Sequence, residues 1–145
     1  MIYAEFLEAP KYWKIIEKGN IYVDRPENQK NNYQHGMRDV GQTKAEARFK
    51  SLKFQTEQLN KAVKLFKEGK LEKAFFELGQ GLHSIQDEVA HEFITLPGHA
   101  NPEKIYRDVK PTAKQIGDAY MRTVHYIKRF LKRINNKKYE TFKNN

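Results

Sequence analysis

Apolar residues return at every third or fourth position through two successive stretches of this chain, with a single tight turn at Gly69 between them. The first stretch carries Ala45, Phe49, Leu52, Gln55/Thr56, Leu59, Ala62/Val63 and Phe66; the second carries Leu71, Ala74, Phe75, Leu78, Leu82, Ile85 and Val89. That period is the period of an amphipathic helix. Thr43-x-x-Glu46 is a capping box at the start of the first helix, and Gly69 stops it. So short a link folds the two helices back on one another as an antiparallel hairpin. A hairpin of this length at the middle of the chain commits the fold to helices, and no convincing pair of strands competes with it.

The flanks add to the bundle. Ile116, Tyr120, Val124, Ile127, Leu131 and Ile134 form one stripe and predict a last helix over about 112–134. Pro10 suits a first helical turn, and Gly19-Asn20 suits a stop, so a short helix is expected over about 10–18. Ile21-Tyr22-Val23 then reads as a short extended piece. Residues 24–41 are rich in Asn, Gln, Pro and Gly and read as a long loop, the kind that often carries function. Leu96-Pro97-Gly98 ends the hairpin, and a second loop runs to about Pro111. The 145 residues fit one domain. The expected architecture is all-α: a compact bundle of about four to five helices, with the long loop ahead of the central hairpin bearing ligands.

Composition narrows the chemistry. A hydrophobic fraction of 39% supports a core. No run of about 18 apolar residues is present, so a membrane-spanning helix is excluded. No signal peptide is visible, which is compatible with delivery or secretion as part of a larger protein. The chain has no Cys, so disulfides, thiolate nucleophiles and thiolate ligands are excluded, and any metal must be held by His and carboxylates. The net charge is +9, from 27 Lys and Arg against 18 Asp and Glu. It is concentrated after residue 121, where eight Lys and Arg face one Glu140, with a basic tail over about 135–145. Such an end gathers anions: nucleic acid, phospholipid head groups or an acidic partner. A solvated helix face with a frayed tail accounts for the same charge.

Three chemically active side chains share one helix. His83, Asp87 and His91 stand at i, i+4 and i+8. A helix advances about 100° per residue, so each step of four drifts by only about 40° and all three face roughly one side. Two of them can share one cation and the third can reach a second. Their face borders the apolar stripe, where a carboxylate is costly unless it is paired or metal-bound. Gly79 and Gly81 lie just before, and glycine is costly inside a helix, so a backbone or a ligand is expected to come close there. The loops supply further donors: Asp24, His35 and Asp39 from the first, His99, Glu103 and Asp108 from the second. Histidine with carboxylate suits zinc first, iron or manganese after it. His125 reads as packing or surface. Hydrogen bonding among these groups inside a helical core, with no metal, is the plain alternative.

Lys73-Ala74-Phe75-Phe76-Glu77-Leu78-Gly79, followed by Leu82-His83, Asp87 and a further His, resembles the central helix of zinc-dependent phospholipase C, whose all-α fold and zinc cluster are shared with the fungal single-strand nucleases. The resemblance covers about residues 24–103. It implies His35, His83, Asp87 and Asp24 as ligands of a first zinc, with His83-x-x-x-Asp87 matching the HxxxD element of the family. It implies His91, His99 and Glu103 at a second zinc, with His99-x-x-x-Glu103 matching the HxxxE element. Two departures are plain: there is no N-terminal Trp or His before His35, and His91 follows Asp87 by four where the family has six. One or two ions are therefore implied rather than three.

Tyr33-Gln34-His35-Gly36-Met37-Arg38-Asp39-Val40-Gly41-Gln42-Thr43, then Leu82-His83-x-x-Gln86-Asp87-x-x-Ala90-His91 and Gly98-His99, is similar still more closely to C-terminal domains of bacterial RHS-type polymorphic toxins. The function implied is a zinc-dependent phosphoesterase-like hydrolase acting as a toxin or effector domain. Its substrate would be an anionic, phosphate-containing phospholipid or nucleic acid, and an immunity protein is an implied partner. Asp24 would be both ligand and proton acceptor. From another class comes the alternative of a non-catalytic basic binding module with a structural or degenerate metal site.

Overall fold

The computed structural model describes residues 10–92 and 112–135. Among them are four α-helices and no strand: α1 (Pro10–Val23), α2 (Lys44–Lys67), α3 (Leu71–His91) and α4 (Ala113–Ile134). Two 3-10 turns, Pro26–Asn28 and Asn32–Gln34, punctuate the loop between α1 and α2. The fold is all-α, and no helix among the described residues is long and apolar enough to cross a membrane.

The central hairpin forms as its pattern predicts. Thr43 and Glu46 make both bonds of the capping box at the head of α2. Gly69, at φ +79°, takes the left-handed turn that closes the hairpin. α3 is the central helix and packs against α1, α2 and α4. Residues 78–85 are all buried, so α3 has no solvent face over two turns. Phe66, Phe75 and Phe130 meet edge to face, with ring centroids 5.8 to 6.3 Å apart, and tie α2, α3 and α4 together.

Two expectations fail for identifiable reasons. The first helix does not stop at Gly19-Asn20, and Ile21-Tyr22-Val23 is not extended; α1 runs on to Val23. Gly19 is there for close approach: a Cβ on it would overlap the carbonyl oxygen of Phe76, and one on Gly79 would overlap that of Ile16. The two glycines let the α1 and α3 backbones touch. Gly81 makes room for the Tyr126 hydroxyl. The second failure is the outer half of two stripes. Phe49 and Leu52 of α2 are exposed, as are Ile116 and Tyr120 of α4. In its first turns α2 faces the loop instead, through Ala47 and Ser51, both fully buried. The inner halves bury as expected, through Leu59, Val63, Phe66, Ile127, Leu131 and Ile134, while toward the outer ends the expected stripe leaves the core.

Gly117 offers a direct stability test. It lies inside α4 with open space where a Cβ would stand and no left-handed backbone. Gly117→Ala is expected to stabilise the protein by about 0.5–1 kcal/mol, read as a rise in denaturation midpoint at constant slope.

Candidate metal centre

α3 presents His83 and Asp87 one turn apart on the face turned toward the loop. Asp24 is the first residue after α1, so the continuation of that helix past Gly19 decides where its carboxylate lands. His35 follows the 3-10 turn Asn32–Gln34, and Gly36 follows His35. Gly36 has φ +59°, and a Cβ there would overlap the Asp87–Glu88 peptide. The loop backbone therefore lies directly on α3 beside Asp87, and His35 is carried in with it. Met37, fully buried, anchors the next position.

The donor atoms converge. His35 Nδ1 stands 3.3 Å from His83 Nε2. Asp24 Oδ1 stands 3.3 Å from His83 Nε2 and 3.9 Å from His35 Nδ1. Two of these edges equal the edge of about 3.3 Å expected between ligands on a tetrahedral ion with bonds of ~2.0–2.1 Å, and the third is longer. Asp87 Oδ2 closes on both rings, at 2.8 Å from His83 Nε2 and 3.5 Å from His35 Nδ1. Both imidazoles are buried, Asp87 is mostly buried, and Asp24 is 59% exposed, so it marks the side open to solvent.

The outer nitrogens fix what these atoms are. His83 Nδ1 lies 3.0 Å from Asn20 Oδ1, and Asn20 is oriented by donating its own Nδ2 to Gln86 Oε1 at 3.0 Å. An amide oxygen only accepts, so His83 Nδ1 carries a proton. His35 Nε2 lies 3.3 Å from the Asn28 carbonyl oxygen, so by the same logic it is the protonated nitrogen of that ring. In neutral imidazoles the inner nitrogens, His83 Nε2 and His35 Nδ1, are then lone pairs. Two lone pairs and two carboxylate oxygens thus face one point, which is stable only around positive charge. A metal ion supplies it, or a proton on His83.

No match to this chain is found among known protein families, curated proteins or solved structures.

The electrostatics carry the same signature. Burial alone would raise the Asp87 pKa, but in the metal-free chain a protonated imidazole beside it reverses this: the hydrogen-bonding contacts with His35 and His83, with positive charge from His83 and His91, outweigh burial and bring it down to about 2. Burial disfavours the charged His83 ring, yet the Asp87 hydrogen bond and the charges of Asp87 and Asp24 leave its pKa raised. A raised His pKa adds stability that is complete below its unfolded value of about 6.5 and is lost as pH rises through the folded value. A lowered Asp pKa adds stability present above about 3.9 and lost as pH falls toward 2. Metal-free protein is therefore expected to melt at a lower temperature at pH 8 than at pH 6, with zinc restoring the difference at pH 8. Calorimetry in chelator and in added zinc measures both arms.

Of the other residues singled out, His91 approaches the cluster at Asp87 Oδ2, with its Nε2 at 3.9 Å. Asp39 is elsewhere: it accepts from Asn32 at 2.7 Å and faces Lys50 at 3.8 Å. His125 is exposed on α4. His99, Glu103 and Asp108, and the basic tail beyond residue 135, lie outside the described residues. The residues that sequence reading overlooked are those behind the histidines. Asn20 reads in sequence as part of a helix stop, and Asn28 acts through a backbone carbonyl that no side chain advertises. His35-Gly36 did offer a signal, since a glycine beside a candidate ligand suggests close approach of backbone.

Proposed function

We propose that this chain is a metal-dependent phosphoesterase-like hydrolase, with zinc as the ion, held by Asp24, His35 and His83 with Asp87 adjoining, and that it serves as a toxin or effector domain. The observation that carries this reading is the convergence of two imidazole lone pairs with two carboxylates, each ring held from behind by a fixed acceptor. Asp24, His35 and His83 are a two-histidine, one-carboxylate set, the usual complement of a catalytic zinc that keeps a position open. A zinc ion there brings the ionisation of water toward neutral pH and offsets the charge of phosphate oxygens.

The chain's own residues do the rest. Asn20 and the Asn28 carbonyl accept from the outer ring nitrogens and so turn both inner nitrogens toward the centre. Asp87, strongly acidic, stays a charged acceptor throughout the neutral range. Asp24, the exposed member, is placed to take a proton from a nucleophile arriving from solvent. The excess of 27 Lys and Arg over 18 Asp and Glu raises the local concentration of phosphate-bearing substrates, phospholipid or nucleic acid.

Counting Asp87 gives four protein donors, which is also the closed set of a structural zinc. That count favours the second reading, a non-catalytic basic module. Hydrolysis of a generic phosphodiester by zinc-loaded and chelated protein separates the two. The hydrolase reading expects turnover that chelator removes and zinc restores. Bound zinc without turnover on either phospholipid or single-stranded nucleic acid supports the module instead.

A further inference from the structure

We infer that Ser51 and Ser84 are positioning residues for His35: together they clasp the Tyr33 carbonyl and set where the histidine stands over α3. The inference deepens the proposed function, resting on that reading for its metal readout and on geometry alone for its structural one.

The loop that carries His35 has no strand ladder to fix its register. The Tyr33 carbonyl oxygen is held instead by two hydroxyls. Ser51 Oγ of α2 donates to it at 2.9 Å, and Ser84 Oγ of α3 donates to it at 3.2 Å. Both serines are fully buried. A carbonyl has two lone pairs, and here a separate helix fills each. The direction of the Ser84 bond is fixed by what lies behind it. Gln55 Nε2 donates to Ser84 Oγ at 3.2 Å and to Glu88 Oε1 at 2.8 Å. The single hydroxyl proton of Ser84 therefore points away from Gln55, toward Tyr33. Arg122 of α4, 3.3 Å from Glu88 Oε2, closes the chain at the surface. Two helices thus hold one loop carbonyl, and a third braces them through Glu88.

This carbonyl sits two residues before His35, and Gly36 rests on the Asp87–Glu88 peptide just after it. His35 is bracketed by two fixed points. The bracket is in register with α3, because consecutive residues serve its two halves: His83 meets the His35 ring, and Ser84 holds the loop backbone. A buried serine pair facing one carbonyl is a costly arrangement unless satisfied, and satisfied it is rigid. Residues that orient ligands in this way commonly change metal affinity by ~10–100-fold when lost.

The test is Ser51→Ala/Ser84→Ala, with each single variant beside it. Zinc titration by calorimetry is expected to show at least ~10-fold weaker binding in the double variant and a smaller loss in each single one. Thr43→Ala, a cap distant from the clasp, lowers stability to a comparable degree and is expected to leave zinc affinity within about twofold, so fold loss alone does not mimic the effect. Cobalt absorption at saturation reads coordination rather than stability, and is expected to change in the double variant and not in Thr43→Ala. If the double variant does not fold, the single variants carry the comparison. Unchanged zinc affinity and an unchanged cobalt spectrum in folded variants would overturn the clasp. A wild-type chain that takes up no zinc overturns the metal reading instead. The clasp is then judged by the nuclear Overhauser contact between the His35 and His83 rings, which it expects in wild type and lost in the double variant; persistence of that contact overturns it.

Discussion

His83→Ala is expected to abolish zinc binding in the micromolar range, a loss of more than ~100-fold, while leaving a folded helical protein. His83 is the hub of the cluster: its Nε2 lies within 3.3 Å of His35 and Asp24 and 2.8 Å from Asp87. Removing the ring takes away one donor and leaves Asp87 buried without its nearest partner. Losing an orienting residue commonly costs 10–100-fold, and losing a ligand exceeds that. The ring is 6% exposed, so a cavity adds a stability cost of about 2 kcal/mol or more. Asp87→Asn in the same background separates the two effects, because it removes the uncompensated charge without restoring the ligand. The expected pattern is partial recovery of melting temperature with no recovery of zinc.

Gly36→Ala is expected to destabilise by about 2–5 kcal/mol and to weaken metal binding as well. Left-handed backbone costs a residue with a Cβ about 1–2 kcal/mol, and overpacking adds about 1–3 kcal/mol. Both apply at Gly36, where φ is +59° and the new methyl meets the backbone of Asp87 and Glu88. That backbone belongs to a helix packed on three sides and cannot yield, so the loop must lift, and His35 lifts with it. Gly41→Ala is the control. Gly41 has φ +82° but open space around it, so only the conformational cost remains. Denaturant titration of the two variants gives the difference directly, and zinc titration is expected to show a deficit for Gly36→Ala alone.

What was legible in the sequence follows from how local each signal is. The capping box of Thr43 and Glu46 involves four residues, and it forms. The His83–Asp87 pairing needs only the helical repeat, and the two side chains meet at 2.8 Å. That Asp24 and His35, and not Asp39, meet them is not written in the spacing, because the loop offers all three and only the fold selects among them. Gly19 was misread because a glycine that ends a helix and a glycine that admits a neighbouring helix look alike in sequence; only the Phe76 carbonyl decides between them. Phe49 and Leu52 were misplaced because period does not give phase. In its first turns α2 buries Ala47, Ser51 and Phe54 instead, and Ser51 meets the Tyr33 carbonyl, a contact 18 residues away along the chain. The Asn20 and Asn28 acceptors were not legible, since one is a common polar residue and the other a carbonyl.

Everything proposed for this site requires a cation at one point. Crystals grown with zinc and measured at the zinc absorption edge locate it without reference to activity. An anomalous peak is expected about 2.0–2.2 Å from Asp24 Oδ1, His35 Nδ1 and His83 Nε2, with Asp87 adjoining. Two well-ordered histidines with no peak between them, or zinc found only on surface carboxylates, would contradict it.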